Sequence, residues 1–295
     1  MQKNPFEDAY YKQRPKEKSY DVRGEYFRDQ TAIIHSMPFR RLKHKTQVFF
    51  APNNDHVCTR IEHVMHVASI AATICKGLNK ANPDMWDLDA ELAYAIGLSH
   101  DLGHAPFGHA GESALSEMLP VGTVFMHELN GLRVVDKLAN EGRGLNLTYA
   151  VRDGVICHNG ESFEQEIFPD TDERDLNSIV DRSHNPLTYE GCIVRFADKV
   201  AYLGRDIEDA VIAGFIKDSD VPKKLRSELG HSNGQIINRL VKDVIQTSCE
   251  SGSIKFSDER HELILSLKNF NYNVIYNHKE IIRYKKFGVN IIRGC

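Results

Sequence analysis

Residues 89–112 read DAELAYAIGLSHDLGHAPFGHAGE, and the change of character at His100 decides how the chain is built. The stretch 89–99 has an acidic start followed by apolar residues, the pattern of a buried helix with favourable charge at its N-terminus. His100-Asp101 continues that helix and Leu102-Gly103 ends it, with Gly103 expected in the left-handed conformation. Residues 104–111 hold two glycines and a proline, so they read as a compact loop that delivers Glu112 to another helix. An imidazole and a carboxylate side by side at a helix end serve one of two purposes. They satisfy the helix terminus, or they ligate a first-row divalent metal through mixed nitrogen and oxygen donors.

Composition narrows the setting. The chain has 295 residues, 41% of them hydrophobic, with Lys+Arg 37 against Asp+Glu 41 and a net charge of −4. That is enough for one large domain or two modest ones. The balance argues against a generally basic nucleic-acid coat protein. The six cysteines, at 58, 75, 157, 192, 249 and 295, include no CxxC pair, which excludes a zinc ribbon or a dense disulfide framework and points to a reducing cytoplasm. The opening MQKNPFEDAYYKQRPKEK is too polar for a signal peptide. The longest uncharged apolar stretch, 64–75, is far shorter than the roughly 18 residues a membrane span needs, so a soluble cytoplasmic protein without membrane association is expected. Of 14 histidines, six lie between positions 56 and 109, which directs attention to metal or proton chemistry there.

Residues 1–25 are charged and irregular and read as an arm; from Tyr26 the pattern is mostly helical. Over 61–78, Ile61, Val64, Met65, Ala68, Ala72 and Cys75 recur at helical spacing. His63 belongs to a neighbouring stripe with Val67, Ile70 and Ile74, which puts its imidazole within about 40° of the stripe's centre, facing inward. Further helices are predicted over roughly 123–141, 148–158, 189–214, 222–250 and 258–283, with loops at 142–144 and 168–186. Strict alternation is scarce and no repeat is apparent. The chain therefore reads as all-α, with a core over 26–215 and a C-terminal helical region over 216–295. Residues 291–295 follow soon after an apparent helix start, so a C-terminal piece is expected to be missing or the protein to be naturally short.

Asp198 sits in the strongly apolar run VRFADKVAY (194–202). A buried unpaired carboxylate costs several kcal/mol, so it needs a cation or a hydrogen-bond network. Lys199 or Arg195 could supply an ion pair, although adjacent helical residues do not face each other. Asp198, Tyr202 and Asp206 fall at i, i+4 and i+8, one polar line down a helix, either the wall of a site or a core hydrogen-bond ladder.

The set His63…His100-Asp101…Asp198 resembles the H…HD…D signature of HD-domain phosphohydrolases. The strings FRRLKHKTQVF (39–49), TRIEHVMHVA (59–68), HDLGHAPFGHAGE (100–112), GLNLTYAVRDGVICH (144–158) and ADKVAYLGRDIEDA (197–210) are similar to those of the deoxyguanosine triphosphate triphosphohydrolase (dGTPase/dNTPase) family, in the family's order. The resemblance implies an all-α HD-domain helical bundle with additional C-terminal helices and a homo-oligomer built on dimers, as a tetramer or hexamer. Two features depart from it: Cys58 stands where the family usually has a basic residue, and many members continue well beyond position 295.

The resemblance further implies metal-dependent hydrolysis of dGTP or another dNTP to deoxynucleoside and inorganic triphosphate. It assigns His63, His100, Asp101 and Asp198 to one divalent ion per site, drawn from Mn, Mg, Fe, Co or Ni. His109 and Glu112 match the family's catalytic pair, with His104 beside them; their i, i+3 spacing lets Glu112 orient His109 if 108–112 is helical. Arg60, His104, His127 and Lys199 match phosphate-facing positions. Gln47, Tyr202 and Asp206 match contacts to the deoxyribose 3′-hydroxyl, and Tyr276 is similar to the tyrosine that crowds the sugar 2′ position. A nucleotide activator is a further implied partner. The basic run Arg40, Arg41, Lys43 and Lys45 reads as a solvated face or as a contact for nucleotide or single-stranded DNA. Two other readings remain open at this point: another HD phosphohydrolase, acting on nucleoside monophosphates, cyclic dinucleotides or guanosine tetraphosphate, and an inactive HD scaffold serving as nucleotide sensor or DNA-binding partner.

Overall fold

Helix α4 (Arg60–Ala81) is the axis about which the chain is organised. Thr59 and Glu62 close a capping box at its start, the Thr59 amide donating to Glu62 Oε2 at 2.8 Å. The computed structural model describes residues 2–45, 48–49, 57–159 and 163–295. From α1 (Asp8–Tyr11), α2 (Glu25–Ile34) and α3 (Met37–Arg41) the chain passes to α4, whose inward face carries Val64, Val67, Ala71, Ile74 and Leu78. Helix α5 (Ala90–Ser99) is capped by Asp89, which accepts from the amides of Glu91 and Leu92. It lies so close to α4 that a Cβ on Gly97 would stand 2.5 Å from Ala68 Cα.

Helices α6 (Gly108–Met118), α7 (His127–Arg133) and α8 (Tyr149–Ile156) follow, and α9 (Tyr189–Ile212) runs back beside α4. Helix α9 is buried on nearly every side because α4, α5, α8 and α11 (Asn233–Ser251) surround it. Helices α10 (Lys223–Leu229), α12 (Asp258–Phe270) and α13 (Lys279–Arg293) complete the order. The fold is all-α. Among the described residues the only paired strands are β1 (Glu166–Ile167) and β2 (Ile254–Lys255), antiparallel with Glu166 opposite Lys255.

Several predicted elements differ in detail. The helix expected from 123 starts at His127, behind an irregular stretch that contains Pro120 and Gly122, and ends in a wide turn at Val134–Leu138. The one expected over 222–250 is two helices, parted by Gly230 at φ +113° and restarted by Ser232, whose side chain caps α11. The one expected over 258–283 is broken after the turn Asn271–Tyr276, and His278 caps α13. Ile291 and Ile292 therefore stand in the last turn of α13 and not near a helix start.

Residues 2–14, read as part of an arm, lie against the body. The Tyr11 hydroxyl donates to the Leu187 carbonyl at 2.9 Å, and Arg14 pairs with Asp29 at 2.6 Å. Gln2 binds the Met85 carbonyl at 2.7 Å beside Trp86, a fully buried indole set edge-on to Tyr189.

Gly103 is not left-handed. It sits in the tight turn His100–Gly103, where a Cβ would stand 2.1 Å from the His127 carbonyl oxygen and 2.2 Å from the Gly131 nitrogen. Close approach of α7 requires the glycine. The chain reverses instead at Phe107 (φ +64°) and Gly108 (φ +56°), so α6 begins four residues before Glu112.

Candidate active site

The close crossing of α4 and α5 sets His63 beside the end of α5, and α9 brings Asp198 to the same point. His63 Nε2 lies 3.0 Å from Asp198 Oδ1 and 3.8 Å from Asp101 Oδ2. His100 Nε2 lies 3.5 Å from Asp101 Oδ1 and 3.8 Å from Asp198 Oδ1. All four side chains are buried. The His100 Nδ1–H donates to the Gly97 carbonyl at 2.8 Å, which leaves Nε2 facing inward, buried and without a hydrogen-bond partner. An orphaned ring nitrogen among carboxylates is the donor set a divalent cation satisfies, and a carbonyl behind the opposite nitrogen is the usual support of such a ligand. Lys199 and Arg195, the alternative partners weighed for Asp198, turn to Glu164 instead, each at 2.6 Å.

A second wall of imidazoles adjoins this group. His104 Nε2 lies 3.1 Å from Asp101 Oδ1, and its ring stacks on His127 at 3.7 Å. Because α6 starts at Gly108, His109 and Glu112 share one face of it, with His109 Nδ1 3.4 Å from Glu112 Oε2. His109 is exposed while Glu112 is buried. Glu112 Oε1 also faces His127 Nδ1 at 2.8 Å. Behind His127 lies Glu128, buried and gripped by Arg182 through two nitrogens, at 2.7 and 3.1 Å. His158 closes the row: its Nδ1 binds the Val155 carbonyl at 2.7 Å, and its Nε2 meets His127 Nε2 at 3.1 Å.

Charge follows this geometry. Burial would raise Asp101, but Arg60, in direct contact, together with His104 and His100 holds it well below the usual carboxylate range. Burial, Arg60 and His127 push His104 far down, so its ring is neutral. Burial also acts downward on His127, but Glu112 and Glu128 outweigh it and raise the ring. Burial and the neighbouring His127 and His100 push His158 down to about 4.

His63, Asp101, His104, His109, His127, His158 and Asp198 line a cavity of about 440 Å³ whose wall also carries Tyr202, Tyr276 and Lys268. The Tyr276 hydroxyl donates to Asp206, which joins two of the four residues predicted for the sugar. Lys199 is buried and paired with Glu164, so the ammonium expected to face phosphate is ion-paired within the chain. Arg40, Arg41 and Lys43 are exposed, whereas Lys45 is half-buried and donates to the His104 carbonyl at 2.6 Å. Gln47 lies outside the described residues.

The model of the HD domain family matches residues 60–203, which span the cluster from His63 to Asp198. Curated relatives extend the match over most of the chain. A deoxyguanosinetriphosphate triphosphohydrolase-like protein of Caldanaerobacter subterraneus subsp. tengcongensis is 39% identical over 88% of this chain and 67% of its own length. One of Desulfatibacillum aliphaticivorans is 39% identical over 90% and 71%, and one of Sinorhizobium medicae 33% over 94% and 77%. The chain belongs to the deoxyguanosinetriphosphate triphosphohydrolase-like family of HD-domain proteins.

Membership in this hydrolase family gives the His/Asp cluster its context: of the groups of side chains able to hold a metal ion, one joins His63, His100 and Asp198, a second Asp101, His127 and His158, and a third His104, Glu112 and His127. Sequence reasoning gave no role to Glu128, His158, Glu164 or Arg182. His158 was within reach, since it ends the quoted string 144–158; Glu164 and Arg182 come from irregular segments whose side-chain destinations have no periodic signal.

Proposed function

We propose that the chain hydrolyses deoxynucleoside triphosphates to deoxynucleoside and inorganic triphosphate. The observation that carries this reading is the convergence of His63, His100, Asp101 and Asp198, with the buried His100 Nε2 unpartnered, immediately beside the His109–Glu112 pair. Those four residues would hold one divalent ion, which when bound polarises the α-phosphate and acidifies water. Each remaining task falls to a side chain. The water oxygen bonds to the α-phosphorus and sheds a proton to solvent as the bond from phosphorus to the sugar 5′-oxygen breaks, and that oxygen takes up a proton. His109, exposed to the cavity and oriented by Glu112, is placed to supply it.

The triphosphate carries about four negative charges at neutral pH. His104, His127 and Arg60 form the wall it would meet, and Lys199 becomes available to it once a stronger anion displaces Glu164. Tyr276 and Asp206, held together by a hydrogen bond, with Tyr202 one turn away, would receive the deoxyribose. The bulk of a tyrosine ring at the 2′ side disfavours a ribose hydroxyl.

The test is product chromatography with Mn²⁺ or Mg²⁺ and all four dNTPs, alone and in pairs. Deoxynucleoside with intact triphosphate is expected; monophosphate with pyrophosphate would refute the reaction class. His109→Ala should keep its metal and lose about 10²–10⁴-fold in turnover, whereas Asp198→Ala should lose both. Equal metal loss in the two variants would remove the division of roles.

A further inference from the structure

Helix α6 starts on Phe107, a residue with no side-chain acceptor to offer the free amides of the first turn. Phe107 is held in the left-handed region, at φ +64° and ψ +20°. A side chain of that bulk does not choose this conformation, because its Cβ crowds the following carbonyl; the surroundings impose it. Those surroundings belong to α13. Gly288 lies so close that a Cβ on it would stand 2.6 Å from Phe107 Cγ and 2.9 Å from Phe107 Cβ. One turn earlier, Tyr284 meets the Phe107 ring edge-on with 5.9 Å between centroids. We propose that Phe107, seated in this notch of α13, is the positioning residue that aims His109 at the site.

His109 is the second residue of α6, it is exposed, and its link to Glu112 spans 3.4 Å. Its direction therefore follows from where the first turn starts. Successive residues of an α-helix are rotated by about 100°, so a start one residue early or late swings the imidazole away from the cavity. The reversal at Phe107 and Gly108 sets that start. The rest of α13 keeps the two helices in register. A Cβ on Gly111 would stand 3.1 Å from Ile292 Cδ1, and Arg293 pairs with Glu117 at the far end of α6. Phe107 itself lines the cavity two residues before His109, so one side chain connects α13 to the proton donor.

The inference rests on the proposed reaction only for the role of His109. Gly288→Ala presses a methyl against Phe107 Cβ, which moves only with its backbone, whereas alanine suits the interior of α13 itself. Phe107→Gly keeps the left-handed turn free of strain and takes away the ring. Each full-length variant is checked by circular dichroism and for manganese uptake, then assayed with the four dNTPs. Gly288→Ala should bind manganese as wild type does and lose roughly 10²-fold in kcat with KM unchanged. Phe107→Gly should lose as much, and adding Gly288→Ala to it should cost nothing more. Nuclear magnetic resonance of histidine-labelled protein without substrate supplies a second readout. The His109 signal, assigned by its loss in His109→Gln, should shift in both variants. Folded variants with wild-type kcat and an unmoved His109 signal overturn the positioning role, as does a loss of manganese that matches the loss of kcat. If Gly288→Ala does not fold, Phe107→Gly, which adds no atom, decides alone. A wild type that hydrolyses no dNTP refutes the reaction, and the His109 signal still decides the positioning.

Discussion

Asp206 shows how a single residue ties the candidate site to pH. Burial pushes its carboxyl up to about 7, against the lowering effect of the hydrogen bond from Tyr276. The native carboxyl then keeps its proton up to about pH 7, while in the unfolded chain it releases it near 3.8. Between those values the native state binds more protons, so this residue's contribution to stability falls as pH rises. Asp206→Asn removes that loss. The urea midpoint of the variant relative to wild type should shift in the variant's favour between about pH 4 and about pH 8; a difference that stays constant across the window would contradict the assignment. The place of Asp206 on one polar line with Asp198 and Tyr202 was legible from its i+8 spacing to Asp198. Its proton affinity was not, because that depends on how completely α9 is enclosed.

At the scale of the helix, the crossing of α4 and α5 fixes the site. Gly97 faces the α4 backbone at Ala68, one crossing away from both His63 and His100, and a methyl there has no flexible neighbour to displace. Gly97→Ala should cost about 1–3 kcal/mol of stability and weaken manganese binding together with it, as measured by thermal unfolding and by equilibrium dialysis. Unchanged metal affinity in a destabilised variant would show that His63 and His100 are not set by this contact. Periodicity revealed both helices and the inward face of His63, since a buried stripe needs only local spacing. It failed at Gly103, where a helix-ending glycine and a close-packing glycine look alike in sequence and only the position of α7 separates them. It also merged α10 with α11 and α12 with α13, whose apolar stripes run on across a one-turn break.

For the molecule as a whole, the N-terminal segment is part of the scaffold that carries the site. Asp29, wholly buried, accepts from the Thr148 amide at 2.8 Å and pairs with Arg14 at 2.6 Å and Arg28 at 3.0 Å, so it joins that segment, α2 and the start of α8. Asp29→Ala strands the partners and should destabilise by about 3 kcal/mol, read as a fall in melting temperature; a change within experimental error would mean the segment is only laid on the surface. The charged composition of residues 1–24 suggested a solvated arm because the backbone carbonyls of Arg143 and Asn146, which accept from Lys16 and Arg14, lie far along the chain.

Trp86 is the chain's single tryptophan, and it stands at the joint between that terminal segment and α9. Intrinsic fluorescence excited in the indole band is thus a built-in gauge of whether this seam is closed. It will register the seam parting during denaturation, while occupancy of the candidate-site cavity, on whose lining no indole stands, should leave the emission unaltered and demand a label placed elsewhere.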